Sequence, residues 1–280
     1  MSKSVFLKHF VGVAFFSFVA AGAAAQDKPA AEFHPEVGQE GKDVIWVPTP
    51  QALVERMLDL AKVTPKDYVI DLGSGDGRTV ITAAKRGALA LGIEFNPDMV
   101  ALSRRNAAKA GVSNTARFRQ ADLFKTDFSD ATVITMFLLP DINIKLRPKI
   151  LDMKPGTRVV SNSFTMEDWE ADQTSQVPKH QGCESYCTAY LWIVPAKVAG
   201  IWRVGDSELA LVQKFQRVYG ALKNGANSTP VTDGHLNGDE IRFKLGDAVY
   251  TGRVNGENIE GTVSRGGRAQ KWKARRTFRS

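Results

Sequence analysis

The stretch VIDLGSGDGR, residues 69–78, sets an apolar run closed by an aspartate directly before glycines at 73, 75 and 77. A short apolar run, a glycine turn and a helical pattern in succession read as strand, tight turn and helix N-terminus. This unit constrains the fold strongly. Free backbone N–H groups at a helix start point outward, and glycines let a ligand approach the chain closely. Upstream, Leu53, Val54, Met57, Leu58 and Ala61 share one helical face that Pro65 ends. Downstream, strands at 88–94 and 116–122 flank a helix at 97–110, and a strand at 131–139, a helix at 142–153 and a strand at 157–164 follow. The alternation predicts an α/β fold with a parallel sheet covered by helices on both faces. Such sheets hold ligands at the carboxyl ends of their strands.

The turn's own residues select among ligands. A mononucleotide phosphate loop requires G-x-x-x-x-G-K-[ST], and no lysine stands here. A dinucleotide fingerprint requires its third glycine at position 78, where the chain has Arg78. What remains is D-x-G-x-G-x-G, Asp71 to Gly77. A carboxylate facing the loop repels pyrophosphate and suits a ligand with an ammonium and a sulfonium, as in S-adenosylmethionine. Glu94 ends the second strand in LGIEFNP, where it can accept from both ribose hydroxyls. Asp122 ends the third in QADLF, where it can accept from the adenine amine while Leu123 and Phe124 pack on the ring. A lone acid at a strand end is more often a helix cap, but three in register with one glycine turn favour the ligand.

With WVPTP at 46–50, GIEFNP at 92–97, TMFLLPDIN at 135–143, LRP at 146–148 and RVVSNSFTMEDW at 158–169, residues 44–198 resemble the class I S-adenosylmethionine-dependent methyltransferases. Within that class they are similar to the mitochondrial protein-lysine methyltransferases that act on the adenine nucleotide translocase and the ATP synthase c subunit, and to their bacterial relatives. The resemblance implies a Rossmann-like methyltransferase sheet. It implies S-adenosylmethionine held by Asp71, Leu72, Gly73, Ser74, Gly75, Gly77, Glu94, Asp122 and Leu123, and a protein lysine as acceptor. In-line methyl transfer requires neither metal nor covalent intermediate. The NPPY motif of enzymes that methylate base or glutamine amines is absent, so no specific nucleic acid is expected. A lysine must arrive neutral, which an apolar collar promotes. Phe137, Leu138 and Leu139 offer that collar and Pro140 shapes its turn, although ordinary strand core is the competing role for the three apolar residues. Asp141 and Asn143 are the nearest polar groups able to orient an amine and are the expected catalytic residues, with helix capping the competing role for Asp141. Trp46 and Asn162 join the substrate pocket by family position only.

The two ends carry other signals. Lys3 and Lys8, an apolar run and Ala23–Ala25 read as a secretory signal peptide over residues 1–25, followed by a polar linker at 26–43. The protein is therefore expected to be periplasmic or otherwise exported, an uncleaved membrane anchor being the alternative. Cys183 and Cys187 then meet a disulfide-permissive compartment, and a local disulfide is expected; the lone nearby His180 leaves a metal site short of ligands. From 199 to 280, short alternating runs broken by Gly, Asn and Asp predict a small antiparallel β-meander or barrel domain after the methyltransferase domain of 44–198. Residues 265–280 carry seven Lys or Arg and no acid, while the rest of the mature chain holds 28 basic against 30 acidic residues. That basic end reads as a protected edge strand, or as a weak contact with a membrane surface. An alternative to the enzyme is an exported binding protein with a non-catalytic Rossmann-like domain and a lipocalin-like β domain. A nicotinamide-dependent oxidoreductase is opposed by Asp71 and Arg78.

Overall fold

The computed structural model describes residues 1–4 and 33–279, so the expected signal peptide lies almost wholly outside the described residues. From Phe33 onward the chain forms one compact unit. Helix α1 (Gln51–Leu60) buries Leu53, Val54, Met57 and Leu58 on one face. Strand β1 (Tyr68–Leu72) leads through the glycine turn into α2 (Arg78–Lys85), then β2 (Leu89–Glu94), α3 (Pro97–Lys109) and β3 (Ala116–Gln120). Strand β4 (Val133–Met136), α4 (Pro140–Leu151) and β5 (Arg158–Asn162) complete the parallel part. Asn96 starts α3 by accepting from the backbone N–H groups of Asp98 and Met99, and Pro97 occupies the first helical position.

Two more strands, β6 (Gln173–Gln176) and β7 (Thr188–Ile193), close a seven-stranded sheet of order β3-β2-β1-β4-β5-β7-β6. Strand β7 runs antiparallel to both neighbours, which corrects the expectation of a wholly parallel sheet. The reason is local. Only one short 3-10 turn, Lys179–Gln181, lies between β6 and β7, too little chain for the crossover that parallel neighbours require. Strand β4 is also shorter than its apolar run, because Phe137 to Leu139 leave the sheet and Pro140 opens α4. The two faces of the sheet bury separate clusters, one around Leu53, Val80 and Phe118, the other around Ile134, Leu146 and Trp192.

Eight strands, from β8 (Gly200–Val204) to β15 (Arg268–Phe278), form a closed antiparallel barrel in which β15 pairs back onto β8. Eight strands enclose a space that side chains fill. Here Trp202, Phe243, Trp272, Leu236 and Ile259 fill it, with Phe243 stacked on Tyr250 at 5.0 Å and Trp272 edge-on to both. The interior is a packed core, unlike the ligand-holding barrel of the alternative reading. The barrel meets the sheet through Phe215, which stacks on Trp169 at 5.7 Å, and through Gln216, which donates to the Glu170 carbonyl. Trp169 is fully buried, and its carbonyl accepts from the Trp192 indole. Trp169→Ala is expected to cost about 3–5 kcal/mol of unfolding free energy, read from the shift of the denaturant midpoint.

Candidate active site

The glycine turn is built by its hydrogen bonds. The N–H groups of Gly73 and Ser74 both donate to the Ile93 carbonyl, and the Gly75 N–H donates to Glu94 Oε2 at 2.9 Å. Glu94 Oε1 accepts from the Asn96 N–H at 2.9 Å. The carboxylate is thus fixed by two backbone donors, and each oxygen keeps a lone pair for a ligand. Asp71 closes β1 in a buried position, and its Oδ1 accepts from Thr135 Oγ1 at 2.6 Å. Burial, with Glu94 and Asp76 nearby, pushes the Asp71 carboxyl up to about 7. Asp76 is chelated by Arg78, whose Nη1 also donates to the Thr49 carbonyl.

These groups line a cavity at the carboxyl ends of β1, β2 and β4, together with Gly73, Ser74, Gly75, Met99, Leu123, Phe137 and Leu138. Six acids line it, Glu40, Asp43, Asp71, Asp76, Glu94 and Asp122, against the two cations Lys42 and Arg78. The field inside therefore favours a cationic ligand. The Ser74 hydroxyl is buried without a partner against Gly92 and the Phe118 ring. These residues fit S-adenosylmethionine, a ligand with ribose hydroxyls and cationic groups.

A feature absent from the sequence expectations covers the cavity. Residues 39–49, of which 39–43 were expected as linker, form a strap closed by hydrogen bonds from the Gly38 N–H to the Trp46 carbonyl and from the Trp46 N–H to the Gln39 carbonyl. Lys42 Nζ lies 2.9 Å from Asp122 Oδ2 and 4.9 Å from the Phe95 ring centroid. That contact raises the Lys42 ammonium and, with the Phe124 N–H, lowers the Asp122 carboxyl. The cavity beneath the strap measures about 120 Å³, below the roughly 300 Å³ at which ligand pockets usually begin.

The predicted residues divide on position. Asp71, Gly73, Ser74, Gly75, Glu94, Asp122, Leu123, Trp46, Phe137 and Leu138 line the cavity, and the others do not. Leu72 lies in the sheet core. Gly77 caps α2 at φ 84°, and a Cβ there would come within 2.7 Å of the Phe118 ring, so it serves helix-to-strand packing. Pro140 and Asp141 are exposed in the first turn of α4, whose N-cap position belongs to Leu139. Asn143 is buried and turns away, donating to the carbonyls of Phe164 and Thr165. Asn162 is also buried and donates to Thr49 Oγ1. Asp122 follows β3 by two residues rather than ending it, and its carboxylate holds Lys42. Asp76 and Arg78 were not expected in the lining, and neither was the strap beyond Trp46, whose WVPTP motif was its sequence signal.

Two outcomes follow from this geometry. Gly75 has φ 53°, and a Cβ there would lie 2.7 Å from Trp46 Nε1. Gly75→Ala is expected to cost about 1–2 kcal/mol and to increase hydrogen exchange across the Gln39–Trp46 strap. Asp71 ionises near 7 when folded and near 3.9 when unfolded. Its contribution to stability is therefore complete below about pH 4 and is lost as pH rises through 7. Asp71→Asn removes that loss, so the melting-temperature difference, variant minus parent, is expected to grow between about pH 4 and 7 and to level off above it.

The comparisons with known proteins agree with this geometry. The ANTKMT methyltransferase domain family matches residues 71–173. A protein-lysine N-methyltransferase of Saccharolobus islandicus is 42% identical over 154 residues, covering 54% of this chain and 94% of that protein. The mouse lysine N-methyltransferase of the ATP synthase c subunit is 36% identical over 131 residues, and the match spans 46% of this chain and 53% of that enzyme. Among solved structures, an RNA methyltransferase from Salinibacter ruber in complex with S-adenosyl-L-homocysteine is 47% identical, with a TM-score of 0.50 over 54% of this chain and 96% of that one. With the strand order, the glycine turn and the acidic cavity, these matches show that the chain belongs to the class I S-adenosylmethionine-dependent methyltransferases, in the family of the ANTKMT methyltransferase domain.

Proposed function

We propose that this methyltransferase acts on the ε-amine of lysine side chains in proteins. The observation that carries the reading is the 42% identity to the Saccharolobus islandicus protein-lysine N-methyltransferase across 94% of its length. The mouse and human lysine N-methyltransferases of the ATP synthase c subunit, 36% and 33% identical, support the same acceptor class. An RNA acceptor is disfavoured by charge. The cavity is lined by six acids against two cations, a field that repels phosphates at the point where an acceptor must enter.

The chain's residues divide the work. Glu94, held by the Gly75 and Asn96 N–H groups, takes the ribose hydroxyls with its remaining lone pairs. Asp71, ionised, faces the cofactor's ammonium, and Gly73 and Gly75 give the close approach. Leu123 would pack on the adenine, and Asp122, which now holds Lys42, would accept from the adenine amine through its remaining lone pairs. Bound there, the cofactor supplies a methyl carbon made electrophilic by its sulfonium. Phe137 and Leu138 exclude water, which favours the neutral amine over an ammonium of ordinary pKa about 10.4. The amine, its proton lost to solvent, would be placed to attack in line, the N–C bond forming as the C–S bond breaks and the thioether leaves.

The proposal extends to export. The signal-like residues 1–25 support it, as does the disulfide between Cys183 and Cys187, a bond that persists in oxidising compartments. Contact of residues 265–280 with an anionic membrane would be weak, because Lys273, Arg276 and Arg279 already pair with Glu260 and Glu257.

Cell fractions incubated with the purified chain and methyl-labelled cofactor, then acid-hydrolysed, are expected to yield labelled methyl-lysine. Label recovered only in RNA would replace the lysine reading with a nucleic-acid one. Calorimetry should show cofactor affinity rising with pH through about 7, where free Asp71 ionises, and falling at least roughly tenfold in Glu94→Ala, which loses a charge-assisted bidentate contact.

A further inference from the structure

Three aromatic rings gather beside the cavity from separate parts of the chain. Phe137 follows β4 and lines the cavity, Phe164 follows β5, and Tyr186 sits in the β6–β7 connection. Their centroids are 6.0 Å apart for Phe137 and Phe164, 5.2 Å for Phe137 and Tyr186, and 6.0 Å for Phe164 and Tyr186. Tyr186 is 43% exposed, so the trio runs from the cavity wall to solvent. It is the aromatic surface that an acceptor side chain would cross.

The backbone beneath two of these rings is unusual. Tyr186 has φ 54°, and Ser163, directly before Phe164, has φ 56°. Residues with a Cβ enter this left-handed region only where the surroundings over-determine it, and such positions cluster at functional sites. The surroundings here are specific. Asn143, buried beneath the second loop, donates to the carbonyls of Phe164 and Thr165, and the Ser163 N–H donates to the Thr188 carbonyl at 2.7 Å. The loop carrying Tyr186 is bridged at its base by the Cys183–Cys187 disulfide, with Cys183 fully buried and the Val177 N–H donating to the Cys187 carbonyl. The Ser163 and Val177 bonds continue the β5–β7 and β6–β7 ladders to the foot of the two loops, while the Tyr186 ring itself lies outside that pairing.

We propose that Phe137, Phe164 and Tyr186 form the acceptor collar. A substrate lysine lays its apolar stem and ammonium across their faces before entering the cavity, and the Cys183–Cys187 disulfide with Asn143 holds the collar in place. The inference rests on the protein-lysine reading. Aromatic faces attract ammonium groups through their quadrupoles, and the attraction grows as water is excluded. Asn143, expected from sequence as catalytic, is on this view a positioning residue.

The test measures initial rates of the full chain with labelled S-adenosylmethionine and poly-L-lysine, alongside calorimetric cofactor affinity and melting temperature. Tyr186→Ala, Phe164→Ala and the paired Cys183→Ser, Cys187→Ser variant are each expected to raise half-saturating poly-L-lysine by roughly five- to tenfold, with cofactor affinity kept within about twofold. Tyr186→Phe, which keeps the ring, should restore parental half-saturation. Tyr219→Ala, on the outside of the barrel, should match the parent. Parental half-saturation in folded, cofactor-binding Tyr186→Ala would overturn the collar while leaving lysine methylation standing. A parent that binds cofactor but forms no methyl-lysine on poly-L-lysine overturns the lysine reading and the collar with it.

Discussion

The bond from the Gly75 N–H to the Glu94 carboxylate joins the ends of two adjacent parallel strands across the mouth of the sheet. Its neighbours act in the same direction, since Gly73 and Ser74 both donate to the Ile93 carbonyl. Together they force the chain leaving β1 to fold over β2 before α2 begins, which opens the crevice between the strand ends. The conformation is left-handed at Gly73, Gly75 and Gly77, so residues with a Cβ would strain it. Everything the site does, from aiming Glu94 to burying Asp71, follows from that bend.

The bend leaves a concave acidic space that two other parts of the chain border. The strap reaches it from the N-terminal side, anchored by Lys42 on Asp122 and by Arg78, which joins the glycine turn to the Thr49 carbonyl. The disulfide loop reaches it from the far edge of the sheet with Tyr186. The barrel keeps away from the cavity, and its contact through Phe215, Gln216 and Arg217 falls on the Trp169–Glu170 segment after β5. It braces the connection that carries Phe164, so its effect on the site passes through packing.

Much of this was legible in residues 44–198. The strand–turn–helix unit, the acids behind it and the apolar periodicity of α1 are local patterns that survive into the structure with shifts of a few residues. Spacing carries no sign of contacts that depend on a distant partner. Asn143 follows TMFLLPD in sequence, yet its side-chain N–H groups go to the carbonyls of Phe164 and Thr165. Asp122 looked free for adenine but is held by a lysine 80 residues earlier. Gly77 looked like part of a ligand cradle, yet the Phe118 ring occupies the space its missing side chain would need.

By itself the sequence determined the cofactor class, because excluding phosphate and dinucleotide ligands required only the identities at 71–78, which are local and need no distant partner. It also determined that a β-rich segment closes the chain, because alternation with period two and turn residues are properties of neighbours. Tertiary structure alone decided that β7 reverses, that the barrel is packed rather than hollow, that residues 39–49 cover the cavity, and that Phe137, Phe164 and Tyr186 meet. Those outcomes depend on which surfaces are brought within a few ångströms of each other by residues far apart in the chain, and one-dimensional spacing carries no record of such distances.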